Sequence, residues 1–389
     1  MNFFADSDLQ HSISLGEPRA IDLSSIETEL ASLWRQAVNG GEDSETPTVV
    51  RACSLNFVVV ADNDKNSAAI DRLLGEITVA HPSRVFLVTA VRETASPSLE
   101  AWVSARCSVP LPGEKQVCSE QINLVANGTD VSKVSSIITS LLVPDVPLVL
   151  LWKTRVERND HVLKSLVGIA DHVVLDSADH REPLGQFIAW QQLVQNTHAL
   201  ATYADLAWAK LAAWRNVLAD TFEPPILRKQ LRGLTHLHVE YASGASTHRS
   251  GLSQSFLLIG WLARSLGWTR GGPATDGSSD VYTAKFKREG GSVDVRITPR
   301  NSQKNSDEGI ESITIETGEN VSVRLESDRS ATCVQVTKRL GNGPGNTSLV
   351  SVRCPDDDEL LAHQLEMPGT DELYVDSMRW LMSSRVGDL

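Results

Sequence analysis

The chain has 389 residues, 41% of them hydrophobic and 22% charged, which is enough apolar material for about two or three globular domains. Its 49 acidic and 36 basic side chains give a net charge of −13 at pH 7. Nucleic acids and anionic membrane surfaces are bound through basic patches, so this surplus of negative charge argues against both as partners.

The sequence carries no recognisable targeting signal. Its first residues lack the basic and apolar segments of a signal peptide, and no apolar run reaches the roughly 18–20 residues that span a bilayer. The five cysteines form no CxxC pair and have no zinc spacing, which is typical of reduced thiols. These features predict a cytoplasmic protein.

The N-terminal part, residues 1–48, is predicted to be an acidic arm with one helix. The first fifty residues hold nine carboxylates against Arg19 and Arg35. Such a segment is either a solvated arm or an acidic surface that meets a basic partner. Ser24 and Glu27 have capping-box spacing in front of apolar residues at helical intervals, which predicts a helix.

Residues 49–225 are predicted to form a three-layer α/β domain with a mostly parallel sheet. Continuous apolar segments at 54–61, 85–91 and 147–152 are typical of strands that are buried on both faces. Helical patterns separate these strands along the chain. Alternating strands and helices of this kind indicate a parallel sheet with helices on both sides.

A long helix is predicted to close this domain, beginning at its N-cap Asp205 and ending before two consecutive prolines. Trp208 lies on one apolar stripe together with Arg215, whereas Trp214 lies off it, so the helix is apolar on more than one side. Such a helix is either buried between two domains or presents Trp and Arg, which dominate binding hot spots, to a partner. Trp261, in a later apolar helix, allows the same two interpretations.

Residues 226–389 are predicted to form an α+β domain with an antiparallel meander. A strand near 234–241 and an apolar helix at 253–266 come first. Short alternating segments joined by glycine turns follow between 281 and 338, and a closing helix covers about 371–384.

Motifs that would identify a cofactor or a catalytic centre are missing from the sequence. There is no P-loop, no GxSxG elbow and no GxGxxG between a strand and a helix. The glycine-rich run 341–346 is typical of a hairpin loop. His236 and His238 share one face of a predicted strand, but no carboxylate-rich motif accompanies them. We therefore predict no metal and no cofactor.

One possible ligand site follows from topology alone. Ligands of parallel α/β sheets bind at the carboxyl ends of the strands, and one such end carries Trp152, Lys153 and Arg155. This rim could hold a sugar phosphate, or it could be an ordinary charged surface.

Three stretches, 144–152, 205–215 and 260–268, resemble the OpcA family of glucose-6-phosphate dehydrogenase assembly proteins. The run Asp-Leu-x-Trp…Leu-x-x-Trp-Arg, which begins at Asp205, is the most specific of them. The resemblance extends from about residue 49 to the final sheet.

The resemblance implies a non-catalytic protein that binds oligomeric glucose-6-phosphate dehydrogenase and favours its active oligomer. That enzyme feeds NADPH supply through the oxidative pentose phosphate pathway. An enzyme or sensor that binds a sugar phosphate at the strand ends is the alternative. The candidate partner-binding residues are Asp205, Trp208, Lys210, Trp214, Arg215 and Trp261. In some members cysteines are linked to redox control, so the candidate pairs are Cys107 with Cys118 and Cys333 with Cys354.

Overall fold

A computed structural model describes most of the chain. The described residues are 13–15, 23–39, 49–61, 67–91, 96–108, 115–157, 160–179, 182–197, 200–243, 250–271, 275–276, 281–301, 309–328, 332–353, 355–366 and 369–383. Most of the predicted acidic arm lies outside these ranges. Its predicted helix is present as α1 (Ile26–Asn39), with Ile26 and Leu30 fully buried.

The first part of the chain forms a nine-stranded sheet. Its strands are β1 (Ile13–Leu15), β2 (Val49–Arg51), β3 (Leu55–Ala61), β4 (Ser83–Val91), β5 (Ser98–Cys107), β6 (Gln116–Asn127), β7 (Leu148–Lys153), β8 (His172–Leu175) and β9 (Thr202–Asp205). The order is β1-β5-β6-β4-β3-β7-β8-β9, with β2 paired to β6. The strands from β6 to β9 run parallel, and β5 is antiparallel to both β6 and β1. The predicted mostly parallel sheet is confirmed.

Helices cover both faces of this sheet. They are α1, α2 (Ser67–Ala80), α3 (Val134–Leu141), α4 (His161–Val167) and α5 (Pro183–Thr197). Every residue of β3 is buried, and alternate side chains belong to different apolar clusters. Val58 contributes to the cluster with α1, α3, α4 and α5, whereas Val59 contributes to the cluster with α2. The two clusters on opposite faces of one sheet give the three layers that the sequence predicts.

The predicted long helix is two helices, α6 (Leu206–Lys210) and α7 (Ala212–Phe222). The prediction of a continuous helix is wrong at Leu211, whose ψ of −13° tightens the turn between them. The predicted N-cap is confirmed, because the Asp205 carboxylate accepts a hydrogen bond from the Ala207 amide at 2.9 Å. A short helix that the sequence analysis did not predict, α8 (Pro225–Leu231), follows with proline in its first turn.

The second part forms another nine-stranded sheet. Its strands are β10 (Leu234–Ser243), β11 (Thr269–Arg270), β12 (Thr275–Asp276), β13 (Tyr282–Arg288), β14 (Gly291–Asn301), β15 (Ile310–Thr317), β16 (Val321–Ser327), β17 (Cys333–Leu340) and β18 (Asn346–Ser351). The order is β11-β13-β14-β10-β15-β16-β17-β18, with β12 on β13. All pairs are antiparallel except β10 with β14.

The simple meander is therefore interrupted, because β10 lies between β14 and β15. Leu237, Val239 and Tyr241 of β10 supply a buried row near the middle of the sheet. Such a long-range pairing leaves no local sequence signal. The loop between β17 and β18 contains the glycine-rich run, with Gly341 at a φ of 61°, so the hairpin prediction is confirmed.

Three further helices join the two sheets: α9 (Ser250–Leu266), α10 (Asp357–Glu366) and α11 (Glu372–Ser383). One apolar cluster contains residues of both sheets together with α9 and α11, whereas α10 packs on α2. Helices α9 and α11 approach closely at Gly260, where a Cβ atom would lie 2.8 Å from the Ser377 carbonyl oxygen. The division of domains at residue 225 stays a prediction. No described helix is long and apolar enough to cross a membrane.

A candidate contact groove at the carboxyl edge of the parallel sheet

The predicted ligand rim and the predicted partner-binding helix both lie at one edge of the first sheet. Strands β7, β8 and β9 are parallel neighbours, so their carboxyl ends lie side by side. Lys153 closes β7, Asp176 and Ser177 follow β8, and Asp205 closes β9. The predicted ligand rim and the start of the Trp-rich helix thus meet at this edge, which agrees with the topological rule for parallel sheets.

The rim residues are mostly engaged within the protein. The Lys153 ammonium forms an ion pair with Asp176, and both side chains are nearly buried. Burial alone would raise the pKa of Asp176, but the positive charges of Lys153 and Lys210 outweigh it and hold that pKa at about 2. Trp152 is fully buried, so of the three rim candidates only Arg155 is exposed.

Asp205 links three elements at the same edge. One carboxylate oxygen accepts the Ala207 amide and the Ser177 hydroxyl, both at 2.9 Å, and the other accepts the Tyr374 hydroxyl of α11 at 3.3 Å. Burial raises the pKa of Asp205 to about 6, Asp176 adds to that rise, and the bonds from Ser177 and Ala207 oppose it. Burial together with Asp205 also raises the pKa of Tyr374 well above its usual range. The sequence predicts the cap but not the contact with Tyr374.

Trp208, which belongs to α6, packs against the start of α11. Its indole nitrogen donates to an oxygen of Asp371 at 2.7 Å, and its ring meets the Tyr374 ring with centroids 5.8 Å apart. Asp371 is itself fixed, because it accepts the backbone amides of Leu373 at 2.9 Å and Tyr374 at 3.2 Å. Only 3% of Trp208 is exposed. The ring therefore forms a rigid platform between the two helices.

The Arg215 guanidinium lies on this platform, 3.7 Å from the centroid of the Trp208 ring. Such a cation–π contact contributes on the order of 1 kcal/mol. The Arg215 guanidinium makes no hydrogen bond or ion pair to any residue that the structure describes, and its Nε atom is buried. Burial lowers the pKa of Arg215, and the charge of Asp371 partly offsets this effect.

The remaining partner candidates have different environments. Lys210 forms an ion pair with Asp357 of α10. Trp214 is buried in the main apolar cluster, and Trp261 on α9 packs against the same cluster while half-buried.

A groove of about 610 Å³ lies beside Trp208 and Arg215. Its walls are α6 and α7 on one side, and the end of β18, α10 and the start of α11 on the other. Four of the six predicted partner residues line it: Asp205, Trp208, Lys210 and Arg215. Sequence analysis missed Asp371, Tyr374 and Arg353, since they reach the groove from a distant part of the chain.

The other predicted sites lie elsewhere. Cys107 and Cys118, directly opposite each other on β5 and β6, are joined by a disulfide, which differs from the expectation of five reduced thiols. Antiparallel pairing places these two sulfurs next to each other. Cys53 and Cys333 are free and half-buried, and Cys354 lies outside the described residues.

The histidines of β10 lie on the polar face of the second sheet. His236 is within 4 Å of Asp294 and Glu316, and the Nε2 atom of His238 is 2.8 Å from the Thr298 hydroxyl. Within the described ranges, no group of three or more metal-ligating side chains occurs.

The fold and the groove define a class of protein: a two-sheet α/β protein with a groove of aromatic, cationic and acidic side chains at the edge of its parallel sheet. Two family models then match most of the chain. The glucose-6-phosphate dehydrogenase subunit N-terminal domain matches residues 75–192, and the corresponding C-terminal domain matches residues 201–378. The chain belongs to the OpcA family, and the resemblance stated from the sequence is confirmed.

Curated relatives agree with this assignment. The OxPP cycle protein OpcA of Synechococcus elongatus is 25% identical over 326 residues, which are 78% of this chain and 67% of that protein. The namesake of Nostoc punctiforme is 29% identical over 201 residues, which are 51% of this chain and 40% of that protein. This chain therefore spans only part of the length of the relatives that it matches.

Solved structures resemble the chain more distantly. A levoglucosan dehydrogenase in complex with NADH and L-sorbose is 12% identical with a TM-score of 0.45, covering 86% of this chain and 97% of that one. An oxidoreductase from Bacillus subtilis has the same TM-score and 9% identity, covering 85% and 96%. Likeness at this level supports no conclusion about activity.

Proposed function

We propose that this protein is a non-catalytic partner of glucose-6-phosphate dehydrogenase that favours the active oligomer of the enzyme. The observation that carries the proposal is the match of two family models, which are described as the N-terminal and C-terminal domains of a glucose-6-phosphate dehydrogenase subunit. The names of the curated relatives place those proteins in the oxidative pentose phosphate cycle. Activation of the dehydrogenase by this protein would then increase the supply of NADPH.

The physical mechanism we propose is linkage. A protein that binds the active oligomer more tightly than the inactive forms shifts the population toward it by the difference in binding free energy. A tenfold difference in affinity supplies about 1.4 kcal/mol. The chain then needs no reactive group of its own, only a surface that distinguishes the two forms of the enzyme.

We assign that surface to the groove. Lys210 and Arg215 are the groove candidates that carry charge and are incompletely buried, so they would face the enzyme, Arg215 in direct contact and Lys210 through its charge. Asp205, Trp208 and Trp214 are buried and would hold α6 and α7 in place. Trp261 would act in the same indirect way by fixing α9. This division follows from burial, because a buried side chain cannot reach a partner without local unfolding.

The sugar-phosphate alternative has less support. It relies on Lys153 as the anion-binding group at the strand ends. That ammonium is neutralised by Asp176 in a nearly buried pair, and separating a buried pair leaves an uncompensated charge. Arg155 alone provides weak grounds for a phosphate site.

The test is a titration of the dehydrogenase from the same cells with this protein, read out by NADPH formation and by sedimentation velocity. We expect a saturable rise in activity that coincides with a shift in the oligomer distribution. Unchanged activity and sedimentation at saturating protein would refute the proposal. Heat-unfolded protein at the same concentration is the control for non-specific crowding.

A further inference from the structure

Arg215 is the most conspicuous unsatisfied group in the groove. Three Lys or Arg side chains line it: Lys210, Arg215 and Arg353. Lys210 is paired with Asp357, and Arg353 is paired with Glu359. Among these three cations, Arg215 alone has no ion pair within the described part of the chain. Arg215 is half-buried and its guanidinium has no acceptor among the described residues, so its terminal nitrogens are donors that an acceptor from outside the chain can satisfy.

The position of Arg215 is fixed before any ligand binds. The guanidinium stacks on Trp208, and the Trp208 ring is held by Asp371 and Tyr374. The terminal nitrogens of a planar guanidinium form a fork that matches a carboxylate with two parallel hydrogen bonds. Because the ring already orients this fork, little side-chain entropy remains to be lost when an anion binds.

The surrounding charges restrict the kind of anion. Asp205, Asp220 and Asp371 also line the groove, and Asp371 contributes to the electrostatic environment of Arg215. The Asp371 oxygens accept the Trp208 indole and two backbone amides of α11, and no hydrogen bond or ion pair joins them to the Arg215 guanidinium. A doubly charged phosphate would be repelled by these three carboxylates more strongly than a singly charged carboxylate would.

We propose that the groove receives an acidic side chain of the partner enzyme and that Arg215 binds its carboxylate through the two terminal guanidinium nitrogens. This inference rests on the proposed function, since it supplies the chemistry of the contact with the dehydrogenase. The partner side chain enters between α7 and the segment that follows β18, where the groove is lined by Val352 and Arg353. Lys210 contributes at longer range, because its charge is shared with Asp357.

The experiment measures the affinity of the dehydrogenase for the full-length chain and three variants by biolayer interferometry. Arg215→Met keeps an unbranched apolar stem but removes the guanidinium, with its charge and its donors. Arg215→Lys keeps the charge and removes the planar fork. Arg379→Met is the matched control. Arg379 is an exposed arginine of α11 that pairs with Asp376, and it lies more than one helical turn beyond Tyr374, which lines the groove.

We expect Arg215→Met to weaken binding by about 30-fold or more and Arg215→Lys by about 5-fold to 10-fold. The control should stay within about 2-fold. Binding of the unmodified chain should also weaken more steeply with added NaCl than binding of Arg215→Met, because one charge pair has been removed. Melting temperatures of all variants, measured by circular dichroism, verify that they are folded. If the Met variant is unfolded, the Lys variant alone decides.

The outcomes separate the inference from the function that it rests on. Failure of the unmodified chain to bind the dehydrogenase would overturn the proposed function. Binding by the unmodified chain that neither Arg215 variant weakens would overturn this inference alone. A third arm adds inorganic phosphate to the isolated chain. A rise in melting temperature that Arg215→Met abolishes would assign the site to a free phosphate and overturn the carboxylate.

Discussion

The buried carboxylate of Asp205 allows a direct test of how burial and hydrogen bonding at the sheet edge affect the free energy of unfolding. Its pKa is raised to about 6 from an ordinary value of 3.8, chiefly by burial, and only 2% of the residue is exposed. Between these two pKa values the folded state binds more protons than the unfolded state, so stability falls as pH rises through this window. Above it, the carboxylate costs about 3 kcal/mol relative to its protonated form.

The informative substitution is Asp205→Asn. The amide oxygen can still accept the bonds from Ala207 and Ser177, and the Tyr374 hydroxyl can rotate to accept from the amide nitrogen. We therefore expect the Asn variant to be more stable than the parent at pH 7.5, by up to about 3 kcal/mol, with the gain disappearing near pH 4. Asp205→Ala lacks the cap and two acceptors, so it should lose about 2–3 kcal/mol.

Urea unfolding at a series of pH values measures this difference. Titrations of other groups, such as the strongly acidic Asp176, cancel in the comparison of parent and variant. Asp220→Asn, at an exposed position, is the control and should change the free energy of unfolding by less than about 0.5 kcal/mol. A difference between Asp205→Asn and the parent that is independent of pH from 4 to 7.5 would refute the reasoning.

Three further predictions concern packing and covalent structure. Trp208→Phe should cost about 1–2 kcal/mol in chemical denaturation, because the indole hydrogen bond is lost and the cation–π contact weakens; no loss would mean that the platform is not structural. Gly260→Ala should lower the free energy of unfolding by about 1–3 kcal/mol, because the added methyl group forces α9 away from α11. Gly185→Ala is the control and should not destabilise the protein, since the nearest atom to its Cβ would be 3.9 Å away. Equal effects of the two substitutions would contradict the close approach of the helices. Under oxidising conditions, thiol counting should find Cys107 and Cys118 blocked, and reducing this 11-residue link should cost about 2–3 kcal/mol. Reactive thiols at both positions would reject that pairing.

The elements that the sequence predicts best are those whose signal is local. Strand β3 is apolar throughout because both of its faces are buried, and the Asp205 cap needs only the two residues that follow it. Elements whose position depends on distant parts of the chain are not predicted, because their own sequence carries no signal for that position. The place of β10 between β14 and β15 depends on pairing with strands more than fifty residues away, and nothing in its own sequence specifies that position.

The groove shows the same limit for function. Trp208 and Arg215 are conspicuous in the sequence, but the partners of Trp208, Asp371 and Tyr374, lie at the start of α11, about 160 residues further along the chain. The sequence makes Lys153 a candidate for anion binding, but the pairing of β7 with β8 places Asp176 beside it. Residue types at a site can therefore be predicted from the sequence, whereas the charge that remains unpaired depends on the tertiary contacts.

The most direct measurement of the central claim combines activity and mass. The dehydrogenase is titrated with this protein while its oligomer distribution is followed by analytical ultracentrifugation at the same concentrations. The proposal predicts that activation and the shift to the active oligomer have one midpoint, which moves to higher concentration in Arg215→Met. Binding without any change in activity or oligomer distribution would contradict it.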